Sequence, residues 1–360
     1  MSIKRFAYMQ VSAVEPFGVV ALGPRPLFTI PRGPAAVRLA AVRSYPGHTW
    51  KKRLVRNFFT ALVGVGLDST ISRKDPAPVS GISPGSFRQW LADTMRAVAD
   101  RELYATIVWP ATHDRGRIYV HFLDAAGKRQ GFAKLSLDQL NSRLIDNERR
   151  ALEIVTSLQL RRTKVPGVIA SGVLQGSAWV VVEPTPAAAR PLSARADVDL
   201  SENIREVAGP VVRREFTAVQ TDWWWERLLT STSVPPRFCE AAHGAAASGV
   251  EVCRVHGDLN HTNLLLEHDK LWMLDWEQSS ENGPCFTDVI CADIDRRWPR
   301  IMRFADRSLR EFLATHWDGH SKEHQDKVLL ALAFLAGANF PPALRLIDEW
   351  YPAQSETIPR

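Results

Sequence analysis

The chain has 360 residues, 45% of them hydrophobic, and its 45 Lys and Arg outnumber 39 Asp and Glu to give a formal net charge of +6. This is the composition of an ordinary globular protein, long enough for a sizeable core and for two or three structural units. The modest basic excess favours anionic ligands, and nucleotide phosphates satisfy it as well as nucleic acid does. We therefore do not expect nucleic acid as a partner.

Cysteines and apolar segments indicate the compartment. The four cysteines have no C-x-x-C spacing, and no His or Cys cluster near them suggests a zinc site, so we expect buried thiols in a reducing environment. The N-terminus has no apolar segment of signal-peptide length. The longest apolar stretch, residues 328–336, is too short to span a bilayer and predicts a core helix. We therefore expect a cytoplasmic protein.

Residues 1–102 form a predicted N-terminal extension with no assigned role. Short apolar runs at residues 18–21 and 27–30 are broken by prolines, which predicts small strands or extended segments. Residues 74–86 are rich in Pro, Ser and Gly and predict a linker, after which residues 87–99 show a helical pattern.

A basic helix is predicted inside this extension. The helical pattern begins at Ala35, and a basic cluster precedes a group of apolar residues; the cluster is Lys51, Lys52, Arg53 and Arg56, and the apolar residues are Phe58, Phe59, Leu62 and Val63. Such a helix suits peripheral contact with an anionic membrane or a polysaccharide. The same pattern also fits a solvated polar face with the apolar face on the core.

Residues 103–186 have the pattern of predicted strands and helices that is typical of a small α+β lobe. Three β-prone runs, a helical segment and two further β-prone runs follow one another, at residues 103–108, 118–123, 131–137, 140–158, 168–172 and 178–182. This order predicts an antiparallel meander with one helix inserted. Residues 187–360 form the third predicted unit, which from residue 204 onwards is mostly helical and is interrupted by two short strand-like runs at 264–266 and 271–274.

The most informative segment runs from His256 to Asn263 and reads His-Gly-Asp-Leu-Asn-His-Thr-Asn; Asp275-Trp276-Glu277 follows it. Phosphoryl transfer needs a carboxylate to orient or deprotonate the attacking hydroxyl, and oxygen ligands to hold magnesium against the triphosphate. Asp258 can supply the first. Asn263, five positions later on a tight loop, and Asp275, at the end of the second short strand, can supply the second.

These motifs resemble those of the aminoglycoside phosphotransferase and choline kinase-like family, small-molecule relatives of protein kinases. The resemblance covers residues 103–300; Gly283-Pro284 and Asp288-Val289 also look like the segments that follow the metal motif in that family. It implies a bilobal α+β fold of protein-kinase type, with a small antiparallel-sheet N-lobe, a mainly helical C-lobe, and ATP and Mg²⁺ as cofactors. Gly257, where protein kinases have arginine, points to a small-molecule acceptor.

The resemblance also implies nucleotide contacts in the N-lobe. Lys134, between apolar residues of the third β-prone run, matches the lysine of the α- and β-phosphates, and Glu148 on the next helix matches its ion-pair partner. The segment 180–186, which contains Glu183, fits the adenine hinge. The loop 112–117 contains only Gly116 and so departs from the glycine-rich clamp of protein kinases.

The sequence says less about the roles of four other conspicuous features of the chain. His256 is expected to brace the loop by hydrogen bonding, and Glu277 either orients a metal-bound water or forms a salt bridge. His261 either reaches the substrate or is exposed. The run Trp223-Trp224-Trp225 either anchors the core, the commoner role of such runs, or stacks on a ring of the substrate.

The acceptor is the least determined part of the function. Six arginines occur between residues 296 and 310, which disfavours a polycationic acceptor and favours a neutral or anionic small molecule, such as a sugar or glycan precursor. Those arginines could equally pair with Asp295, Asp306 and Glu311 on a solvated helix. An antibiotic kinase and a catalytically inactive kinase-like binding module are the alternatives, although all the key residues of an active enzyme are present.

Overall fold

The computed structural model describes residues 18–22, 25–46, 50–67, 72–74, 81–110, 116–192, 198–301 and 304–351. The chain forms two compact units: unit 1 extends to Arg149 and includes Gly167–Pro184, and unit 2 comprises Arg150–Pro166 and Thr185–Arg360. The predicted boundaries at residues 102 and 186 stay predictions. No helix in the described part of the chain is long and apolar enough to cross a membrane.

Unit 1 is built on one eight-stranded antiparallel sheet with the order β3-β1-β2-β4-β5-β6-β9-β8. Its strands are β1 (Gly18–Leu22), β2 (Arg25–Ile30), β3 (Ser72–Lys74), β4 (Tyr104–Val108), β5 (Arg117–Leu123), β6 (Arg129–Ser136), β8 (Val168–Leu174) and β9 (Ser177–Val182). The first three strands, from the predicted extension, thus share a sheet with the strands of the predicted N-lobe.

Among the described residues of the chain, four helices accompany this sheet: α1 (Ala35–Ser44), α2 (Trp50–Gly64), α3 (Pro84–Val98) and α4 (Gln139–Ser157), the last of which crosses the division between the units at Arg149. Helix α3 begins where Ser83 accepts a hydrogen bond from the Ser86 amide and Pro84 occupies the first turn. Residues 75–80 of the predicted linker lie outside the described residues.

Two apolar clusters of described residues stabilise unit 1. One joins Phe87 and Trp90 of α3 to buried residues of β4, β5 and β6, such as Phe122. The other joins α1 and α2 to β2 through Phe28 and Phe59, whose rings meet edge to face at 5.7 Å. The central strands of the sheet are buried on both faces and are therefore largely apolar along their length. Burial of these apolar side chains is the main source of the stability of unit 1.

Unit 2 is mainly helical and holds two small sheets. One is β11 (Val212–Arg214), β12 (Val250–Val255) and β15 (Ser280–Pro284); the other, in the order β10-β13-β14-β7, is β10 (Arg190–Pro191), β13 (Leu264–Glu267), β14 (Lys270–Met273) and β7 (Thr163–Lys164). The prediction of only two strand-like runs after residue 204 was wrong. Strands β11, β12 and β15 were missed, because short strands whose stability comes from pairing leave little local pattern.

The helices of unit 2 are α5 (Ser201–Ala208), α6 (Phe216–Val219), α7 (Trp223–Thr230), α8 (Pro236–Ala246), α9 (Thr287–Ile301), α10 (Ala305–His316), α11 (Lys322–Gly337) and α12 (Pro341–Trp350). Helix α11 is buried throughout its second half, as the apolar run predicted. Trp224 and Trp225 are fully buried, and Trp224 packs on Phe334 of α11 with ring centroids 5.6 Å apart. The tryptophan run therefore anchors the core. The predicted α+β class, an antiparallel-sheet unit and a mainly helical unit, is confirmed.

Candidate functional site

The segment from His256 to Asn263 lies between two strands of unit 2. Strand β12 ends at Val255, the loop follows, a 3-10 turn covers His261–Asn263, and β13 starts at Leu264. The Asn260 side chain caps this turn by accepting a hydrogen bond from the Thr262 amide at 2.9 Å. The loop is thus fixed at both ends by strands and internally by its own polar side chains.

Asp258 is held by two asparagine side chains. Asn260 Nδ2 donates to Oδ1 of Asp258 at 2.7 Å, and Asn263 Nδ2 donates to Oδ2 at 3.0 Å. Burial and the charge of Asp275, with a smaller contribution from Glu277, raise the pKa of Asp258 to about 7, although the two asparagine hydrogen bonds lower it. The predicted base and two other carboxylates therefore lie close enough to oppose one another's ionisation.

Asn263 and Asp275 present oxygen atoms suited to a cation. The Asn263 amide nitrogen also donates to the Asp258 carbonyl at 3.0 Å, so the amide oxygen points away from Asp258. Asp275 begins a second 3-10 turn, Trp276–Gln278, in the left-handed region at φ 64° and ψ 65°. Such a conformation is uncommon outside glycine, Asn and Asp, and it often occurs at functional positions.

These residues fit magnesium. Carboxylates that raise the pKa of a neighbouring carboxylate form an excess of negative charge, which a divalent cation relieves. Carboxylate and amide oxygens are the hard donors that Mg²⁺ prefers. Asn263 and Asp275 are the candidate ligands, and Glu277 lies near enough to add its charge.

His256 ties the loop to the end of β14. Its Nδ1 accepts a hydrogen bond from the Asp258 amide at 3.3 Å, and its Nε2 lies 2.9 Å from the Leu274 carbonyl. An accepting Nδ1 requires the tautomer with hydrogen on Nε2, which then donates to Leu274. The imidazole also packs on buried Trp276, with ring centroids 4.6 Å apart. The contacts are those of a bracing side chain between Asp258 and Asp275.

Asp288, at the start of α9, holds the same loop by accepting hydrogen bonds from two of its backbone amides. Its Oδ2 accepts from the His256 amide at 2.8 Å, and its Oδ1 accepts from the Gly257 amide at 2.9 Å. The carboxyl is buried, and burial raises its pKa. The sequence marked Asp288 only by the family resemblance, since its partners are backbone groups 31 and 32 positions away.

Removing this support should destabilise the protein. Asp288→Ala leaves two buried amides without acceptors, and each unsatisfied group costs about 1–3 kcal/mol, so we expect a loss of at least ~2 kcal/mol in the free energy of unfolding. Denaturant titration measures it. Asp306→Ala, which removes an exposed carboxylate paired with Arg310, is the control and should cost less than ~1 kcal/mol. Equal losses would contradict the assigned role.

Gly257 is required by both backbone and space. Its φ is +79°, and a Cβ there would overlap the Gln278 carbonyl and lie 2.9 Å from the Phe334 ring. Gly319 has a similar φ of +74° but has no described atom within 4 Å of the added Cβ. The two glycines therefore separate steric overlap from the cost of the backbone conformation.

We expect Gly257→Ala to lower the melting temperature more than Gly319→Ala does. Both pay about 1–2 kcal/mol for a left-handed alanine, and only the first adds the overlap with Gln278. Calorimetry on both variants checks this. A melting temperature for Gly257→Ala at or above that of Gly319→Ala would show that the loop relaxes without cost.

Unit 1 contains a buried ion pair at the predicted nucleotide residues. Lys134 lies on β6, between Tyr119 of β5 and Val180 of β9, and its Nζ is 2.7 and 2.8 Å from the two carboxylate oxygens of Glu148 on α4. Both side chains are less than a tenth exposed. Removing charges from water is costly, so a buried pair of this kind points to specificity or function more than to stability.

The other predicted N-lobe contacts are less informative. Glu183 is exposed, and its Oε2 accepts a hydrogen bond from the Gly167 amide at 3.1 Å, while its own amide donates to the Gly167 carbonyl. Of the loop 112–117, residues 112–115 lie outside the described residues. That Lys134 and Glu148 act on the same nucleotide as the loop of unit 2 stays a prediction.

A cavity of about 390 Å³ lies beside the loop within unit 2. Leu259 and His261 line it, together with Ser201, Asp295 and Arg296. His261 is held by Asp295, which accepts from its amide at 2.8 Å and lies 2.8 Å from its Nδ1. Sequence reasoning missed this pair and the cavity.

The arginines after residue 295 are largely paired along their helices. Arg297 contacts Asp293 at 2.8 Å, and the exposed pairs are Arg307 with Glu311 and Arg310 with Asp306, each at 3.0 Å. Asp295, proposed as an arginine partner, instead binds His261. The Arg300 and Arg303 side chains are outside the described residues. The solvated-helix alternative therefore accounts for these pairs.

No protein-family model matches the chain, and no curated protein matches it. Among solved structures, it is similar to a thermostable mutant of the aminoglycoside phosphotransferase APH(4)-Ia in complex with ADP and hygromycin B, at 14% identity and a TM-score of 0.46 over 72% of this chain and 95% of that one. A choline/ethanolamine kinase family protein from Mesorhizobium loti aligns at 14% identity and a TM-score of 0.36, over 72% and 98%.

A third structure, the GDP and kanamycin complex of an APH(2'') phosphotransferase, aligns at 11% identity and a TM-score of 0.41, over 69% of this chain and 89% of that one. At these identities and TM-scores, the function of this chain has to be argued from its own residues.

Proposed function

We propose that the chain is an ATP- and Mg²⁺-dependent phosphotransferase that phosphorylates a hydroxyl group of a small molecule in the cytoplasm. The observation that carries the proposal is the arrangement around Asp258: its carboxylate is hydrogen-bonded to the Asn263 amide, and the charge of Asp275 acts on it. A base and two oxygen ligands at one point are the protein's minimal contribution to phosphoryl transfer.

Asp258 acts on the acceptor. One carboxylate oxygen of Asp258 accepts the proton of the acceptor hydroxyl while the hydroxyl oxygen attacks the γ-phosphorus of ATP. The bond between the γ-phosphorus and the β,γ-bridging oxygen breaks, and ADP leaves. The hydrogen bonds from Asn260 and Asn263 fix the carboxylate plane, and His256 fixes the backbone amide of Asp258. Positioning of this kind is the larger part of catalysis in phosphoryl transfer.

Asn263 and Asp275 would hold the metal, and Glu277 would orient a water molecule beside it. Mg²⁺ bound there supplies neutralisation of the phosphate charge. Lys134 contacts the α- and β-phosphates, and Glu148, 2.7 Å away, keeps the ammonium group in place. The backbone of residues 180–186 binds adenine, with Glu183 fixing the segment through Gly167.

The acceptor binds in the cavity of unit 2. Its wall carries two carboxylates, Asp199 and Asp295, and one arginine, Arg296, and Asp295 is already hydrogen-bonded to His261. Ser201 adds a hydroxyl and Leu259 adds apolar carbon. A polycation would call for several carboxylates without partners in the protein, whereas a neutral or mildly anionic polyol fits alternating donors and acceptors. The acceptor class we propose is therefore a sugar or glycan precursor.

The experiment is ATP consumption by the purified chain with a panel of sugars, glycan intermediates, choline, homoserine and aminoglycosides, with and without EDTA. The proposal expects acceptor-dependent, EDTA-sensitive turnover with a sugar or glycan. Turnover confined to an aminoglycoside would overturn the acceptor class. ADP release equal to that of Asp258→Ala with every acceptor would support a binding module instead of an enzyme.

A further inference from the structure

Two of the four free cysteines of the chain meet in unit 2. Cys253 lies on β12, and Cys285 directly follows β15. The two strands pair antiparallel with Cys253 opposite Gly283, and the Cys285 amide donates to the Glu251 carbonyl at 3.1 Å. Because side chains alternate along a strand, Cys285 lies on the same face of the strand pair as Gly283 and Cys253. The pairing therefore brings together two thiols that are far apart in the sequence.

The two thiols have different surroundings. The Cys253 thiol is buried and donates a hydrogen bond to the sulfur of Cys285, which is half-buried. This hydrogen bond raises the pKa of Cys253 and lowers the pKa of Cys285, although burial and the Glu251 carboxylate oppose the second effect. The Lys327 ammonium group, 3.0 Å from the Glu251 carboxylate, adds to the lowering. Cys285 is therefore the sulfur with the larger thiolate fraction and the better access.

We propose that Cys285 is a site of modification by hydrogen peroxide, and that Cys253 converts the modified residue to a disulfide. The Cys285 thiolate attacks one oxygen of the peroxide, the O–O bond breaks, and the leaving hydroxide takes a proton from solvent to become water. The Cys253 sulfur then attacks the sulfur of the sulfenic acid, the S–O bond breaks, and the hydroxyl group leaves as water with the Cys253 proton. The two thiols are oxidised, and the peroxide is reduced to water.

The position of the pair gives the disulfide a consequence for the candidate site. Strand β12 leads directly into the loop that begins at His256, and Asp288, which follows shortly after Cys285, accepts hydrogen bonds from two amides of that loop. A bond between Cys253 and Cys285 joins these two segments and closes a covalent ring that contains residues 256–277. The chemistry of the thiols does not depend on the proposed function, so it can be tested without an acceptor.

The test is treatment of the full chain, first reduced and then freed of reductant, with hydrogen peroxide. Alkylation of the remaining thiols under denaturing conditions, digestion and mass spectrometry follow. We expect one peptide pair, linked through Cys253 and Cys285 and separated by dithiothreitol, while Cys239 and Cys291 are recovered as alkylated thiols. Recovery of all four thiols in alkylated form would overturn the proposal, and so would an equal yield of a link that involves Cys239 or Cys291.

Two serine variants separate the roles of the two sulfurs. In Cys253→Ser, the hydroxyl group can still donate to Cys285 but cannot form a disulfide, so the sulfenic acid should persist and be trapped by dimedone as an adduct at Cys285. In Cys285→Ser, no adduct should form at the buried Cys253. Melting curves check that both variants are folded. Equal adduct yields in the two variants would contradict the assignment of Cys285 as the attacked sulfur.

A matched control in the native chain needs no variant. Cys239, on α8, is half-buried like Cys285, but burial raises its pKa. Iodoacetamide at neutral pH should therefore label Cys285 several-fold faster than Cys239, because the thiolate is the reacting form. Mass spectrometry of samples quenched at successive times measures the two rates. Equal rates, or faster labelling of Cys239, would overturn the proposal.

Discussion

Asp258→Asn should lower kcat by about 10²- to 10⁴-fold, the usual contribution of a positioned general base, and leave the affinity for nucleotide nearly unchanged. Asparagine has the shape of aspartate but cannot take the proton of the acceptor hydroxyl. Steady-state kinetics with the identified acceptor, and nucleotide binding by calorimetry, measure the two quantities. A higher KM for ATP with little change in kcat would contradict the role of base.

The same variant should keep its stability in EDTA, which separates a catalytic defect from a folding defect. Burial and Asp275 raise the pKa of Asp258 in the folded chain above its ordinary value of 3.8, to about 7. A raised pKa means that the ionised carboxylate costs folding free energy as pH rises from about 4 to about 7. A neutral side chain there removes that cost, so the free energy of unfolding at pH 8 should be equal or higher.

Asn260→Ala is the control for geometry. It removes the 2.7 Å hydrogen bond to Asp258 Oδ1 but keeps the base, so kcat should fall by much less than in Asp258→Asn. Losses of the same size in the two variants would show that orientation of the loop, rather than proton transfer, limits the rate.

The meeting of the loop side chains could be predicted from the sequence because it depends on residue types at short spacing. Asp258 and Asn263 are five positions apart, and a tight loop brings them together wherever it occurs in a fold. Lys134 and Glu148 likewise stand on consecutive elements, a strand and the helix after it. Local order along the chain was enough for these residues.

The supporting contacts could not be read in this way. Asp288 binds amides 31 and 32 positions away, and Asp295 binds His261 from 34 positions away, so only the folded chain brings them together. Helix α9 places both carboxylates against the loop, and nothing in the local pattern distinguishes them from solvated acids. The same holds for β15, whose sequence Ser-Glu-Asn-Gly-Pro forms a strand because β12 pairs with it.

Changes at Asp275 should separate metal binding from proton transfer. Asp275→Ala should weaken binding of the magnesium–nucleotide complex by at least about tenfold and bring turnover near background, because loss of even an outer-shell group costs about 10- to 100-fold in metal affinity. Titration of Mg²⁺ at fixed ATP, followed by calorimetry and by turnover, measures both effects. In Asp258→Asn the affinity for the magnesium–nucleotide complex should not change.

The left-handed backbone at Asp275 makes the choice of substitution important. Alanine at φ 64° adds about 1–2 kcal/mol of strain, whereas asparagine tolerates that region. Asp275→Asn therefore tests the charge alone and should show the same loss of metal affinity without the loss of stability. Because Asp275 raises the pKa of Asp258, either variant should also bring that pKa back towards its ordinary value. If Asp275→Asn bound magnesium–ATP as tightly as the native chain, the carboxylate would not be a metal ligand.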